Sequence, residues 1–225
     1  MILVGVCKRG IDSMIFLTSN GLSNRFLLRQ AGKYIDSGKA ALVVTADHEY
    51  KEKNYHVKRL TRELQVLGLC VDCFDFDTQS PSELMRYDVV EIMGGNPYYL
   101  LNSIKVHHFS DALKAFAESR CLIGCSAGSV VLTPSLKLID LYTPEMNIVE
   151  LKELSALNFT NRQILPHYSR FLNRYDAFEE RCSKYEKESR STVIRLNDGE
   201  GVFIDENNSF IVRKNKFRCA SIEKL

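Results

Sequence analysis

The sequence predicts an α/β protein of three layers, a three-layer sandwich in which helices cover both faces of a mostly parallel central sheet. Short apolar runs alternate with longer amphipathic segments up to residue 125, and this order generates parallel strands joined by helical crossovers. Runs such as "AALVVTAD" are almost continuously apolar, as expected for strands that are buried on both faces. Near the C-terminus, apolar runs broken at "NDGEG" and "DENN" predict antiparallel edge strands.

The first half of the chain contains the elements of this sheet in regular succession. The run "MIFLTS" predicts a first strand from Met14, and "NRFLLRQAGKYIDSG" predicts a helix that ends at Gly38. Further strands are predicted in "AALVVTAD", "CVDCFDF", "DVVEIMGG" and "CLIGCS". Helices are predicted between them in "EYKEKNYHVKRLTRELQVLG", "SPSELMRY", "NPYYLLNSI" and "HFSDALKAFAESR".

The pattern changes after residue 150. The stretch "FTNRQILPHYS" predicts a strand that ends at a Pro-His pair, and "YDAFEERCSKYEKES" predicts a charged helix. No repeat or Pro/Gly-rich linker divides the chain, so residues 1–225 are expected to form a single domain. Residues 1–13 precede the first predicted strand and are expected to be an N-terminal extension.

Composition and charge exclude several classes of protein. The chain is 45% hydrophobic and 26% charged, and its formal net charge of +2 gives no overall field that would favour nucleic acid or an anionic membrane. No apolar run approaches the roughly 20 residues that span a bilayer. The N-terminal apolar run is followed by Lys8 and Arg9, which is the wrong order for a signal peptide.

The seven cysteines favour reduced thiols in a cytoplasmic protein, because their number is odd and most lie in apolar surroundings. Cys121, Cys182 and Cys219 are interpreted as small buried hydrophobic residues. Cys70 and Cys73 have the spacing of a redox or zinc motif. However, they lie in a predicted strand and no second pair of ligands follows at zinc-finger distance, so neither a metal site nor a cofactor is expected.

The motif that indicates chemistry is "GCSAG", which matches G-x-S-x-G with Ser126 at its centre. In this motif a strand enters a helix through a sharp turn that leaves the serine hydroxyl exposed. The context agrees, because "RCLIG" predicts the strand and "AGSVVL" can begin the helix. Ser126 is therefore predicted to be a nucleophile; the alternative is a serine that only caps the helix.

A serine nucleophile needs a base. Of the five histidines, His56, His107 and His108 are expected at the surface, and His48 is a minor candidate because it follows a strand. His167 ends a predicted strand after Pro166 and is the expected general base. The acids between Ser126 and His167 are Asp140, Glu145, Glu150 and Glu153, and spacing does not choose among them; any of these would give the chain order Ser, acid, His of α/β-hydrolases.

Two consecutive glycines are candidates for backbone N–H groups that bind a ligand beside Ser126. Gly94 and Gly95 end the predicted strand of "IMGGNPYYLL", where a glycine pair lets backbone N–H groups approach a ligand. The N–H groups of Gly95 and Ala127 are expected to form an oxyanion hole. The alternative is that the pair only makes a turn into the next helix.

Together, "IMGGNPYYLL", "IGCSAGSVVLTP", "PEMNIV" and "ALNFTNRQILPHYS" resemble the serine peptidase family of aspartyl dipeptidase (peptidase E), with cyanophycinase as a more distant relative. The likeness runs from about Met14 to Gly201. It implies a class I glutamine amidotransferase-like (flavodoxin-like) fold with serine in place of cysteine at the turn. Cys125 lies one position too early for amidotransferase chemistry and is expected to point away from the site.

The resemblance also implies roles for particular residues. It implies Ser126 as nucleophile and His167 as base, and through "EMNIV" it favours Glu145 over Asp140 as the third member. Gly94 and Asn96 are expected beside the substrate. Aspartyl dipeptidase binds its substrate side chain through an arginine beyond the histidine; here Arg170, Arg174 and Arg181 follow His167, with Arg170 and Arg174 as the expected candidates, and none falls cleanly at the family position.

The expected function is that of a serine-type peptidase of the cytoplasm, similar to dipeptidase E, which hydrolyses short peptides through an acyl-enzyme without metal or organic cofactor. It is expected to act as a monomer or homodimer, without nucleic acid or membrane partners. One alternative is an esterase or amidase with the same triad. Another is a catalytically silent binding protein on the same scaffold.

Overall fold

The computed structural model describes residues 13–205, 209–214 and 220–224. Its strands are β1 (Met14–Thr18), β2 (Gly38–Val43), β3 (Leu69–Phe74), β4 (Val89–Ile92), β5 (Cys121–Cys125), β6 (Gln163–Leu165), β7 (Val193–Arg195), β8 (Gly201–Ile204), β9 (Ser209–Lys214) and β10 (Ala220–Lys224). Its α-helices are α1 (Arg25–Ala31), α2 (Val57–Val66), α3 (Pro97–Val106), α4 (Phe109–Ala117), α5 (Ala127–Val131), α6 (Lys137–Asp140), α7 (Tyr168–Leu172) and α8 (Phe178–Ser189).

The central sheet has eight strands in the order β10-β9-β8-β1-β5-β4-β2-β3. Strands β1, β5, β4, β2 and β3 are parallel neighbours, and β8, β9 and β10 add antiparallel strands beside β1. The predicted class, a mostly parallel sheet with antiparallel edge strands near the C-terminus, is therefore confirmed. Because β1 pairs with β5, the "GCSAG" turn leaves the sheet at its centre.

Two helical layers enclose the sheet. Alternate residues of each parallel strand point to opposite faces, and one face packs against α1 and α2 through Phe16, Leu27 and Leu64. The other face packs against α3, α4 and α8 through a larger cluster that includes Leu122 and Phe116. The cleft described below lies between loops at the carboxyl ends of the parallel strands, where open α/β sheets bind ligands.

Several boundaries differ from those that the sequence predicted. The first helix ends at Ala31 with Gly32 as its C-cap, and Gly38 instead begins β2. Asn24 starts this helix, since its side chain accepts hydrogen bonds from the N–H groups of Phe26 and Leu27. The first strand does begin at Met14, while residues 1–12 of the expected extension lie outside the described residues.

The C-terminal prediction needs a second correction. Strand β6 does not join the central sheet but pairs in parallel with β7 in a separate two-stranded sheet. The "NDGEG" segment is therefore not the turn of an antiparallel hairpin. It is a connection that leaves one parallel strand and enters β8, and this difference places residues 197–199 beside the end of β6.

Cys70 and Cys73 lie on β3, at one edge of the sheet, and both are free. Three residues of extended strand span roughly 10 Å, beyond the reach of a disulfide. Cys121 and Cys182 are buried, as predicted, and Cys219 lies outside the described residues. In the described ranges, no helix is both long and apolar enough to cross a bilayer, and no group of three or more His, Cys, Asp or Glu side chains could hold a metal ion.

Candidate active site

Ser126 occupies a sharp turn between β5 and α5. Its backbone has φ 52° and ψ −112°, a conformation that costs a non-glycine residue about 1–3 kcal/mol. Two hydrogen bonds of 3.0 Å hold it: the Ser126 N–H donates to the Thr18 carbonyl, and the Val130 N–H donates to the Ser126 carbonyl. Ser126 is partly exposed although the neighbouring positions 121–125 and 127–133 are buried, so the turn presents a hydroxyl at the surface of an otherwise apolar segment.

The two flanking glycines allow this turn because backbone passes very close to them. A Cβ atom at Gly128 would lie 2.0 Å from the Ile92 carbonyl oxygen, and one at Gly124 would lie 2.7 Å from the Ser129 backbone. Neither separation is tolerable for a side chain. The G-x-S-x-G pattern is therefore required by the approach of α5 to β4 and β5.

His167 lies beside Ser126. The Ser126 Oγ and His167 Nε2 atoms are 2.9 Å apart, although 41 residues separate them in the sequence. The buried Pro166 precedes His167 at the end of β6, and His167 itself adopts a left-handed conformation with φ 57°. Its N–H donates a hydrogen bond of 2.9 Å to Ser19 Oγ, which fixes the backbone that carries the imidazole.

The third group of this cluster is Asp198, a residue that the sequence analysis did not consider. Its Oδ1 atom lies 2.6 Å from His167 Nδ1 and also accepts a hydrogen bond of 3.0 Å from Ser19 Oγ. Its Oδ2 atom forms an ion pair with Arg170. The turn that carries it is held by Asn20 and by Asn24, which donates to the Gly199 carbonyl at 2.8 Å.

The environment of Asp198 keeps its carboxylate charged. Partial burial acts to raise its pKa, but the hydrogen bond and charge of His167, the Ser19 hydroxyl and the Arg170 charge outweigh burial, so the pKa is lowered. An ionised carboxylate at Nδ1 favours the tautomer with hydrogen on Nδ1. The Nε2 lone pair then faces the Ser126 hydroxyl.

Glu145 and Asp140, the acids expected from the sequence, lie elsewhere. Asp140 accepts a hydrogen bond of 2.9 Å from the Tyr98 hydroxyl, and Glu145 is exposed on the 3₁₀ segment Pro144–Met146. The segment of α6 and the residues after it packs over α3, whereas His167 faces the connection after β7. The chain order is therefore Ser, His, Asp rather than the expected Ser, acid, His.

A signal for Asp198 was present in the sequence. The end of "QIL" and the end of "VIR" become neighbours when these runs are interpreted as parallel strands, which brings Asp198 to the same edge as His167. The interpretation of "NDGEG" as a hairpin turn concealed this relation, because a hairpin would use the aspartate only for turn geometry.

The glycine pair lies against Ser126 and the residues around it. A Cβ atom at Gly94 would lie 2.9 Å from the Ser126 Cβ, and one at Gly95 would lie 2.4 Å from the Ala46 carbonyl oxygen. Ala127 begins α5, so its N–H has no carbonyl acceptor within the helix. Gly94, Gly95, Ser126 and Ala127 are thus brought together in one place.

The expected substrate residues divide into two groups. Arg170 lies in the cleft beside Asp198. Asn96 is instead used as the cap of α3: its Oδ1 accepts from the Tyr98 and Tyr99 N–H groups and its Nδ2 donates to the Met146 carbonyl. Arg174 is exposed with its guanidinium 5.3 Å from the Tyr175 ring centroid, and it does not line the cleft that contains Ser126.

The cleft at Ser126 has a volume of about 390 Å³. It is lined by residues from five segments of the chain: Asn20, Ser23, Asn54, Tyr55, His56, Arg59, Leu60, Gly94, Gly95, Cys125, Ser126, His167 and Arg170. The charged side chains that line this cleft, those of Arg59 and Arg170, are basic.

Two residues in this cleft differ from the sequence expectation. His56 was expected on the surface, but it lines the cleft, where burial and the nearby charges of Arg59, His167 and Arg170 lower its pKa. Cys125 also borders the cleft rather than pointing away from it, and burial raises the pKa of its thiol. A thiol with a raised pKa is a poor nucleophile at neutral pH, so Cys125 does not compete with Ser126.

The other histidines lie apart from Ser126. The His48 ring lies 5.1 Å from the Tyr99 ring, and His107 Nε2 lies 3.8 Å from Asp77 Oδ1. His108 joins α3 to α4 in a left-handed conformation. None of these three residues lines the cleft.

Comparison with known proteins agrees with this geometry. The family model Peptidase family S51 matches residues 15–212. An uncharacterized peptidase of Listeria monocytogenes is 28% identical over 174 residues, which cover 74% of this chain and 82% of the relative. An uncharacterized peptidase of Pasteurella multocida is 22% identical over 184 residues, covering 79% and 86%.

Solved structures share the fold. A protein of Listeria monocytogenes EGD-e that was crystallised as a candidate peptidase E superposes with a TM-score of 0.73 at 22% identity, covering 95% of this chain and 98% of that one. A peptidase from an acI-B1 Actinobacterium gives a TM-score of 0.68 at 13% identity, covering 96% and 97%. The family match extends over almost the whole sheet and includes every residue of the Ser126–His167–Asp198 cluster, and on this ground the chain belongs to peptidase family S51.

Proposed function

We propose that this protein is a serine peptidase that hydrolyses short peptides, in the manner of dipeptidase E, with Ser126, His167 and Asp198 as its catalytic triad. The observation that carries the proposal is the continuous pair of contacts, 2.9 Å from Ser126 Oγ to His167 Nε2 and 2.6 Å from His167 Nδ1 to Asp198 Oδ1. These are the distances over which a nucleophile, its base and an orienting acid act together.

The first chemical step follows from these contacts. His167 Nε2 removes the proton of Ser126 Oγ as this oxygen attacks the scissile carbonyl, and Asp198 stabilises the imidazolium that forms. His167 then gives the proton to the leaving amine, and the C–N bond breaks. Water attacks the remaining ester with His167 again as base, which releases the acid product and restores the Ser126 hydroxyl.

The negative charge of the tetrahedral intermediate needs donors beside Ser126. The N–H groups of Gly95 and Ala127 are proposed for this role, because Ala127 follows the nucleophile and the Gly94–Gly95 segment packs on it. A donor of this kind contributes on the order of 3 kcal/mol to the transition state.

The substrate is proposed to be a short peptide because the cleft is small and its arginines suit carboxylate groups. Arg59 and Arg170 both line it, and a guanidinium binds a carboxylate with two parallel hydrogen bonds. Which residue precedes the scissile bond is a question for a dipeptide library with acidic and neutral N-terminal residues, read by mass spectrometry.

The central test is the variant Ser126→Ala. It should lose peptidase turnover and should not react with a fluorophosphonate probe, while its circular dichroism spectrum and melting temperature stay close to those of the native protein. The matched control is Ser189→Ala, at an exposed serine on α8. This variant should hydrolyse peptides and react with the probe as the native protein does. Peptide hydrolysis by Ser126→Ala at the native rate would overturn the proposal.

A further inference from the structure

A second concave surface adjoins the cleft. It has a volume of about 310 Å³ and shares two lining residues, Tyr55 and Arg59, with the cleft. We call this surface the basic groove; it is lined by Leu28, Tyr55, Lys58, Arg59, Arg62, Glu63 and Val66. It lies between α1 and α2, on the side of the sheet opposite α3 and α4.

The basic groove exposes apolar side chains that the fold itself does not use. In α2, Leu60 and Leu64 face the sheet and are buried, whereas Val66 is 71% exposed on the outer side of the same helix. Tyr55, at the junction with the cleft, is 80% exposed. Leu28 of α1 is partly buried and completes the apolar part of the groove.

The charged side chains that line the groove are mostly positive, although the chain as a whole is nearly neutral. Residues 20–35 and 55–68 contain Arg25, Arg29, Lys33, Lys58, Arg59 and Arg62 but a single acid, Glu63. Glu63 is largely buried and pairs with Arg59. Lys58 and Arg62 are exposed, and within the described part of the chain neither forms an ion pair.

We propose that the basic groove binds the C-terminal end of substrates of three or more residues. The inference rests on the proposed function, since it takes the cleft to be where the peptide is cleaved. The terminal apolar side chain packs against Leu28, Val66 and Tyr55, and the terminal carboxylate meets Lys58 and Arg62.

The direction of the peptide follows from charge. Every unblocked peptide carries one anion at its C-terminus and one cation at its N-terminus. Lys58 and Arg62 attract the first and repel the second, so the groove lies on the leaving-group side of the scissile bond. One residue of extended peptide advances about 3.3 Å, and the path proposed for a tripeptide runs from the cleft past Tyr55 and Arg59, which line both depressions.

The test compares peptides that differ only in the part that would occupy the groove. With Xaa taken as the preferred N-terminal residue of the dipeptide library, kcat/KM is measured by mass spectrometry for Xaa-Ala, Xaa-Ala-Leu and Xaa-Ala-Leu-amide. We expect kcat/KM for Xaa-Ala-Leu to be at least as high as that for Xaa-Ala. We expect kcat/KM for Xaa-Ala-Leu-amide to be about three- to fivefold lower than that for Xaa-Ala-Leu, which is the range of an exposed ion pair. The difference should shrink at 1 M salt because exposed charges are screened.

Variants then assign the effect to the groove. Arg62→Gln should lower kcat/KM for Xaa-Ala-Leu about three- to fivefold, and Val66→Asp should lower it about tenfold, because it removes apolar contact and places a negative charge beside the carboxylate. Neither should change kcat/KM for Xaa-Ala. Val106→Asp, at an exposed valine on α3 in the other helical layer, is the matched control and should change neither substrate.

The outcomes separate this inference from the function on which it rests. Cleavage of Xaa-Ala with refusal of Xaa-Ala-Leu, or equal effects of the variants on both peptides, would overturn the groove inference while leaving the triad intact. The same holds if Val66→Asp instead abolishes a dimer seen by light scattering, since the groove would then bind a second copy. Absence of hydrolysis for every peptide, together with no probe reaction at Ser126, would overturn the proposed function itself.

Discussion

Asp198 shows how a single carboxylate can serve several neighbours. One oxygen faces His167 and Ser19, and the other pairs with Arg170. These groups lower its pKa despite partial burial, so the carboxylate stays charged well into the acid range. Because Arg170 also lines the cleft, a substrate carboxylate that attracts this arginine would compete with Asp198 for it.

At the residue scale, we expect Asp198→Asn to lower kcat about 10³- to 10⁴-fold, since an amide can stabilise the wrong tautomer of the base. Steady-state kinetics on the best dipeptide would measure this. Glu145→Gln, at the acid that the family resemblance favoured, should change kcat less than twofold. If the two variants reversed these roles, Glu145 would be the functional acid after a rearrangement of its loop.

At the scale of elements, the site depends on how closely α5 approaches the sheet. Gly128 lies against the Ile92 carbonyl of β4, and Ser129 Oγ donates to the carbonyls of Thr18 and Gly124, each at 2.8 Å. These contacts hold α5 in a fixed position against β1, β4 and β5. The strained backbone of Ser126 is held because the elements on both sides cannot move apart.

Gly128→Ala should therefore destabilise the protein by about 3 kcal/mol or more, at the upper end of the cost of overpacking. Urea denaturation would report it as a lower midpoint. Gly32→Ala, at the C-cap of α1 with φ −64°, is the control and should change the free energy of unfolding by less than about 1 kcal/mol. Equal losses in both variants would mean that backbone entropy, not the close approach of Ile92, explains why glycine occupies position 128.

At the scale of the whole molecule, the central sheet buries a carboxyl group, that of Glu91, to which no described residue gives a hydrogen bond. Glu91 lies on β4 between β2 and β5, is fully buried, and neither carboxylate oxygen has a hydrogen-bond partner within the described residues. Burial raises its pKa to about 8, the charge of Glu63 adds to the increase, and Arg59 opposes it. Glu91 is therefore mainly protonated at neutral pH.

This pKa makes global stability depend on pH. The folded state binds the proton of Glu91 more tightly than the unfolded state does. This proton binding therefore stabilises the folded state fully below about pH 4.5, and the stabilisation is lost as pH rises to about 8. The maximum slope for one such group is about 1.4 kcal/mol per pH unit. The substitution Glu91→Gln removes this titration. Between pH 5.5 and 8.5, the free energy of unfolding of the variant should therefore increase relative to that of the native protein.

Denaturation in urea at four pH values would measure this difference, with Glu83→Gln, an acid of the surface segment Pro81–Arg86, as the control. If the free energy of unfolding of the native protein and that of Glu91→Gln changed with pH in the same way, Glu91 would not titrate between pH 5.5 and 8.5.

Local signals were enough to predict the layered fold, a sharp turn at Ser126 and a histidine at the end of a strand, because each of these features depends on a short stretch of sequence. Apolar strands, amphipathic helices, a glycine-flanked serine and a Pro-His strand end each lie within a few neighbouring residues. Local signals predict the ends of helices and strands less well than they predict their presence. Gly38 was expected to end a helix, yet it begins β2.

Which acid meets His167 and which helices border the cleft depend on long-range pairing and packing. Ser19 and Asp198 are 179 positions apart, and their contact depends on the pairing of β6 with β7 and of β8 with β1. His56 and Arg59 line the cleft because α2, which packs on one face of the sheet, begins beside it with His56 as its N-cap. Pairing of distant strands is set by burial summed over the whole core, which no short stretch of sequence displays.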